Sequence, residues 1–253
     1  MAISERTRVL QEVIRVLCLD LACSESQLKE DGIVVTEFQE RPGRRRFPVG
    51  RHHLSIATMG RGVVVSCDPS RLEWARCNLV PMDRDGIFSA HTIPVLNGWV
   101  KGEGQSIAGP DLKFVCTRAS LRYYDGPGDI PVELIETASV QELYQVAGFH
   151  HALQYRADSP RPDVLACVAE DRGVVVGIAG ASADCDTIWQ IGVDVIPSHR
   201  GRGIGKALVS KLTRAVQDMG HIPYYSTVAS NILSQALAAS VGYWPAWVEM
   251  YAR

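Results

Sequence analysis

The sequence predicts an α/β protein of the α+β kind, with a mixed, mostly antiparallel sheet flanked by helices in its C-terminal half and an extra α/β domain before it. Three observations carry that prediction. A turn-rich stretch, Asp125-Gly126-Pro127-Gly128-Asp129-Ile130-Pro131, divides the chain into residues 1–125 and 131–253. Beyond it, apolar runs and helical patterns follow one another as strand, helices, three antiparallel strands, helix, strand, helix, strand. Within that series, between Val193 and Lys206, a strand ends at a proline, the chain turns through three glycines, and a helix opens.

In the first part, Glu5 to Ala22 carries apolar residues on the 3.6 period, with Val9, Val13, Val16 and Leu17 joined by Leu10, Ile14 and Leu21, which predicts an amphipathic helix. Ser24 or Ser26 can cap a short turn through Lys29 before the Asp31-Gly32 break. Ile33 to Phe38 is strand-like. Arg41 to His53 is a basic loop with five arginines, read as solvated because no aromatics interleave it in the manner of a nucleic-acid patch. His52-His53 lacks a third ligand at metal spacing. Leu54 to Met59 and Gly62 to Ser66 read as strands about Gly60-Arg61, a turn followed by β-branched residues and therefore without a helix N-terminus. Asp68 and Pro69 open a helix running from Arg71 to Asn78. Residues 81–110 are rich in proline and glycine and read as loop, ending in a strand near Lys113 to Cys116.

In the second part, Val132 to Glu136 is a strand, and Ser139 with Glu142 makes a capping box for a helix through Gly148. His150 to Tyr155 adds a second short helix. Val164 to Glu170 and Val174 to Ala181 form a hairpin about Asp171-Arg172-Gly173. Thr187 to Val195 is the next strand, the helix after the glycines reaches Met219, Pro223 to Val228 is a strand, Asn231 to Ser240 a helix, and Trp244 to Tyr251 the last strand.

The chemistry is written in residues 193–206. A helix N-terminus presents unpaired N–H donors and partial positive charge, and glycines admit an anion against the backbone. Arg200, Arg202 and Lys206 add formal charge at the same point, so a pyrophosphate fits better than a carboxylate. A P-loop is excluded because its glycine spacing is longer and Ala207 follows Lys206 where a hydroxyl residue is needed. A dinucleotide fingerprint is excluded because Gly201, Gly203 and Gly205 stand two apart. Arg200-x-x-Gly203-x-Gly205, preceded by Val195-x-Pro197, resembles the Arg/Gln-x-x-Gly-x-Gly/Ala signature of the GCN5-related N-acetyltransferase (GNAT) family. A second resemblance lies in Asn231-x-x-x-x-Ala236 and Gly242-Tyr243.

The resemblance covers Pro131 to Arg253. It implies the acyl-CoA N-acyltransferase fold and an acetyl-CoA-dependent N-acetyltransferase transferring acetyl to a small-molecule amine acceptor directly, in a ternary complex. The coenzyme site it implies comprises the backbone and side chains of Val193, Val195, Arg200, Gly201, Arg202, Gly203, Ile204, Gly205 and Lys206, with Asn231 beside the pantetheine arm. Backbone N–H groups at Val193 to Val195, where this family splays two strands at a bulge, are the implied oxyanion donors. Asp194 and Gln190, on one strand face by the period of two, are candidates to relay the amine proton, followed by Glu170. The family's thiolate-protonating tyrosine is missing: Ala238-Ala239 stand there. Tyr243, Tyr224 or Ser234 are candidates to replace it. A non-catalytic CoA-binding or sensing protein is the alternative. An acetylated thiol intermediate at Cys167 is disfavoured because the residue sits in an apolar run without a neighbouring histidine.

A net charge of −2 gives no bias toward nucleic acid, and no apolar run of about 18 residues suggests a membrane span. The N-terminal residues enter an amphipathic pattern with acidic residues, unlike a signal peptide. Seven scattered cysteines without C-x-x-C spacing argue against a disulfide framework and a zinc site, with Cys185-Asp186 read as a solvent-facing turn. A reduced, cytoplasmic, metal-free enzyme is expected, with the first domain shaping the acceptor pocket or a homodimer contact.

Overall fold

The structure, a computed structural model, describes residues 3–48 and 54–253, so His52 and His53 lie outside the described residues. The elements in chain order are α1 (Glu5–Asp20), α2 (Glu25–Lys29), β1 (Ile33–Glu37), β2 (Leu54–Thr58), β3 (Val63–Cys67), α3 (Leu72–Asn78), α4 (Arg84–Ile87), α5 (Thr92–Val100) and β4 (Ile107–Val115). They continue as β5 (Val132–Glu136), α6 (Thr137–Val140), β6 (Asp163–Asp171), β7 (Val174–Ser182), β8 (Ile188–Val195), α7 (Ile204–Asp218), β9 (Ile222–Val228), α8 (Ile232–Val241) and β10 (Trp244–Ala252). The chain forms two compact units. One comprises Met1–Val9, Phe114–Thr227 and Asn231–Pro245, the other Leu10–Lys113, Val228–Ser230 and Ala246–Arg253.

In the second of these units the strand order is β1-β3-β2-β10, with β4 next to β10. β1 runs parallel to β3, while β2 is antiparallel to both β3 and β10. β3 is buried along its whole length, which explains its unbroken Val63-Val64-Val65 run. Ile56, Val65, Leu79, Ile87, Leu96 and Met250 anchor the core of this unit. Two readings change here. Residues 84–100 hold α4 and α5, where the proline content predicts loop. Pro94 is the third residue of α5, within the first turn, where a helix loses no intrahelical hydrogen bond to proline. The basic loop is not simply solvated either. Arg45 is 4% exposed and donates to the carboxylates of Asp20 and Glu249, and Arg44 lies over the Phe38 ring.

In the other unit the order is β9-β8-β7-β6-β5. From β5 to β8 each strand is antiparallel to the next and β8 runs parallel to β9, a mixed sheet with α7 packed on β6, β7 and β8 and α6 on β6. The hairpin, the strand before the glycines and the helix after them stand where the sequence predicts. Helix α6 does not start at Ser139: its cap position is Glu136, and Ser139 lies inside it. Residues 150–155 form turns and irregular chain rather than a helix, because their main chain is tied to the sheet face by a side chain of β8, described below. Cys185 is 5% exposed, not solvent-facing, its thiol turned toward Thr187 Oγ1 and the Ile188 carbonyl.

Candidate functional site

The turn between β8 and α7 is built from its glycines. Gly201 and Gly203 have φ of +78° and +83°, a left-handed backbone that side chains resist. A Cβ at Gly201 would meet open space, whereas one at Gly203 would lie 2.9 Å from Tyr124 Cε1. Gly205 is helical, and its Cβ would make ordinary contacts with Leu237 and Val195. Ala207 N–H donates to Gly203 O at 3.0 Å, so by helix geometry the N–H groups of Ile204, Gly205 and Lys206 open into the turn. This arrangement can hold an anion on backbone donors and the positive end of a fifteen-residue helix.

The three basic side chains are engaged with the protein. Arg200 Nε donates to the Val195 carbonyl at 2.9 Å, Arg202 pairs with Asp129 at 2.6 Å, and Lys206 Nζ lies 5.2 Å above the Tyr124 ring. His199 bridges to Asp171, 3.0 Å away, and holds that carboxyl below the usual range. Anion binding at the turn therefore falls first to the main chain.

Beside the turn, two strands part. β8 and β9 pair from Ile188↔Ile222 to Ile191↔Tyr225, and β8 then continues to Val195 without β9. On its other edge β8 stays in step with β7 from Gln190 to Val195, so the bulge expected near Val193 is absent and the register shifts lie between β6 and β7. The opening arises where parallel pairing stops. Ile196 N–H donates to Val176 O, which fixes the phase of the ladder. Gln190, Gly192 and Asp194 direct their backbone groups at β7, while Val193 and Val195 direct theirs into the opening.

The two faces of β8 differ in chemistry. On one, Asp194 Oδ2 accepts from the His151 and Ala152 N–H groups at 2.7 and 3.2 Å, fixing the chain segment that lies on the sheet. Gln190 Oε1 accepts from Arg161 at 2.7 Å and from Tyr224 at 3.0 Å, in a buried network where Arg161 also pairs with the fully buried Asp184. Tyr224 donates to Asp184 as well. On the other face, Val195 packs toward α7, and Tyr225, the last residue of β9 paired with β8, places its hydroxyl 2.8 Å from Ser234 Oγ of α8. Burial pushes the Tyr225 phenol up, the charge of Asp194 adds to this, and the Ser234 hydrogen bond opposes it.

Tyr243 is buried and shares a 2.7 Å hydrogen bond with Thr213 in the packing of α7, and burial pushes its phenol well above the usual value. Asn231 caps α8 through Oδ1, which accepts from Ser234 N–H at 3.1 Å. Cys167 is fully buried, its thiol pushed up to about 12 by desolvation. Sequence reading does not single out Tyr225 or Arg161, because nothing local separates a tyrosine where pairing with β8 ends from its neighbour Tyr224. Among the described residues no group of three or more His, Cys, Asp or Glu is placed to hold a metal ion, and no helix is long and apolar enough to cross a membrane.

Comparison with known proteins gives the family of the C-terminal half. Residues 133–243 match the model of the Acetyltransferase (GNAT) family. Over 94 residues the chain is 33% identical to GCN5-related N-acetyltransferase 2, chloroplastic, of Arabidopsis thaliana, a match to 35% of this chain and 36% of that protein. The chain thus spans about a third of the length of that curated relative. Among solved structures, a GCN5-related N-acetyltransferase from Kribbella flavida is 17% identical, covering 96% of this chain and 95% of its own, with a TM-score of 0.49. An aminoglycoside N-acetyltransferase in complex with CoA is 21% identical over 46% of this chain and 92% of its own, with a TM-score of 0.34. Family match, glycine turn and parted strands agree on the C-terminal half: residues 133–243 of this chain are a domain of the GNAT acetyltransferase family.

Proposed function

We propose that this protein is an acetyl-CoA-dependent N-acetyltransferase that transfers acetyl directly to a small-molecule amine in a ternary complex. The observation that carries the reading is the juxtaposition of the left-handed Gly201–Gly203 turn with the opening where β8 leaves β9. The residues fit the coenzyme. Ile204, Gly205 and Lys206 offer N–H groups to its pyrophosphate, Arg200 and Arg202 stand at the rim, and the exposed start of α8 at Asn231 flanks the path of its arm. When bound, acetyl-CoA supplies a thioester carbonyl activated toward amines. The N–H groups of Val193 and Val195 are the donors we assign to the developing oxyanion.

For proton transfer, Asp194 and Gln190 act as positioning residues, Asp194 by holding residues 151 and 152 and Gln190 within the Arg161 network. Tyr243 is committed to Thr213, so we assign protonation of the leaving thiolate to Tyr225, with Ser234 hydrogen-bonded to its oxygen. The exposed Ala239, in the stretch where this family carries its tyrosine, favours a second reading, a CoA-binding protein without turnover.

A thermal-shift titration separates these. Acetyl-CoA at about one hundred times its dissociation constant adds roughly 2.7 kcal/mol to a native state that binds it. A rise in melting temperature with acetyl-CoA and CoA, but not with NAD or ATP, supports the cradle. Thiol release in a screen of small amines then supports the enzyme, and a shift without release against any amine supports the binding protein. No shift in a folded sample overturns both.

A further inference from the structure

Helix α1 ends in a backbone motif that brings two cysteines together. Ala22 is left-handed at φ +51°, and Cys23 N–H donates back to the Cys18 carbonyl at 3.1 Å, six residues spanned by one hydrogen bond. This is the Schellman arrangement, in which the side chains of the two hydrogen-bonded positions meet across the helix end. That contact is ordinarily apolar. Here it brings together two thiols that perturb one another's acidity. The sequence hides the pair because its spacing is not C-x-x-C; it is made by the helix stop.

The two sulfurs are not equivalent. Cys18 is half-buried and Cys23 is 8% exposed. The neighbouring Cys23 thiol lowers that of Cys18, burial and Glu25 oppose this, and the charges of Arg41 and Lys29 assist it. Arg41 also donates to the Cys18 carbonyl at 3.4 Å, which keeps its guanidinium at the helix end. The Cys23 thiol is pushed up. A more acidic, reachable thiol beside a protonated one is the pairing that oxidation needs: the first attacks the oxidant, the second resolves the product. Cys67, Cys116 and Cys167 are buried, with thiols pushed up to about 11, 11 and 12, and Cys77 is exposed.

We propose that Cys18 and Cys23 are a peroxide-reactive dithiol that closes to a reversible intramolecular disulfide across the end of α1. In the first step the Cys18 sulfur attacks a hydrogen peroxide oxygen, the O–O bond breaks, and the departing hydroxide takes up a proton to leave as water, giving the sulfenic acid. In the second, the Cys23 sulfur attacks that sulfur, the S–O bond breaks, and hydroxide leaves as water with the Cys23 proton. Two thiols lose two electrons and one peroxide becomes two waters. An added dithiol reverses the change by exchange.

The test treats the folded protein with stoichiometric hydrogen peroxide, quenches it, denatures it and alkylates the remaining thiols for mass spectrometry. The expected result is loss of two of the seven alkylatable thiols, restored by dithiothreitol, with a Cys18–Cys23 cross-linked peptide and the same loss in Cys77→Ser. Cys23→Ser is expected instead to accumulate a dimedone-reactive Cys18. Retention of all seven thiols, a cross-link between other cysteines, or undiminished loss of two thiols in Cys18→Ser overturns the proposal. If the serine variants fail to fold, the wild-type peptide map decides alone.

Discussion

Gly180 and Gly192 face each other across β7 and β8, and a Cβ on either would lie 2.0 Å from the Ala152 carbonyl oxygen or 1.8 Å from that of His151. The pair is the seat on which residues 151 and 152 rest, and Asp194, two residues on and on the same face, holds their N–H groups. One strand thus fixes a segment of main chain twice, by absence of a side chain and by a carboxylate.

Gly192→Ala is therefore expected to lift this segment. Backbone atoms cannot yield as a flexible side chain does, so a loss of about 1–3 kcal/mol is expected from overpacking. Asp194→Ala leaves two N–H groups without their acceptor and should cost a similar amount. Amide exchange at 151 and 152 checks the mechanism: it should accelerate in both variants while the amides of α7 keep their protection. Unchanged exchange would place the carboxylate's role elsewhere.

Gly203 and Gly205 differ although they are two residues apart in one motif. Gly203→Ala forces a side chain into a left-handed backbone 2.9 Å from Tyr124, while Gly205→Ala meets only ordinary contacts. Calorimetric titration with CoA should show affinity lowered at least about tenfold by the first and kept within about threefold by the second, which should also gain a few tenths of a kcal/mol from helix propensity. Asp129→Asn removes the partner of Arg202, and should tighten CoA binding slightly at low salt and not at high salt.

Much of this was legible in the sequence for a physical reason: β6 to β8 and α7 are specified by local periodicity and by glycines whose need is local. Helix α5 was hidden because Pro94 and Gly98 read as breakers without knowledge of where the helix begins. Burial of Arg45 was hidden because its partner Glu249 stands 204 residues away. The strand opening was expected from a bulge and comes instead from the end of parallel pairing, which a single strand's letters do not encode.

Glu249 gives a prediction in pH. Burial raises its carboxyl, but Arg45 and Lys113 outweigh this and hold it below the usual carboxylate range. A depressed folded value means stability that is complete above the unfolded value of about 4.3 and is lost as pH falls toward the folded one. Glu249→Gln leaves two buried cations without that charge and should cost about 3–5 kcal/mol at neutral pH. The gap to wild type, followed by urea denaturation, should be constant from pH 8 to about 5 and narrow below about 4. A gap that widens in acid would reverse the assigned sign.

The Tyr225–Ser234 pair offers the sharpest separation of chemistry from binding. Tyr225→Phe keeps the ring against Tyr243, whose centroid is 5.9 Å away, and removes only the hydroxyl. With an amine substrate found by thiol release, kcat should fall about 100-fold, the lower end of a general-acid contribution, while the CoA dissociation constant stays within about twofold. Ser234→Ala should fall less, since it removes the partner and not the donor. Tyr243→Phe should lower the melting temperature through loss of the Thr213 hydrogen bond while sparing kcat in the folded fraction. If Tyr225→Phe turns over at the wild-type rate, the thiolate leaves without protein assistance or takes its proton from water. If kcat and CoA affinity fall together, the hydroxyl serves the packing of α8 rather than the reaction.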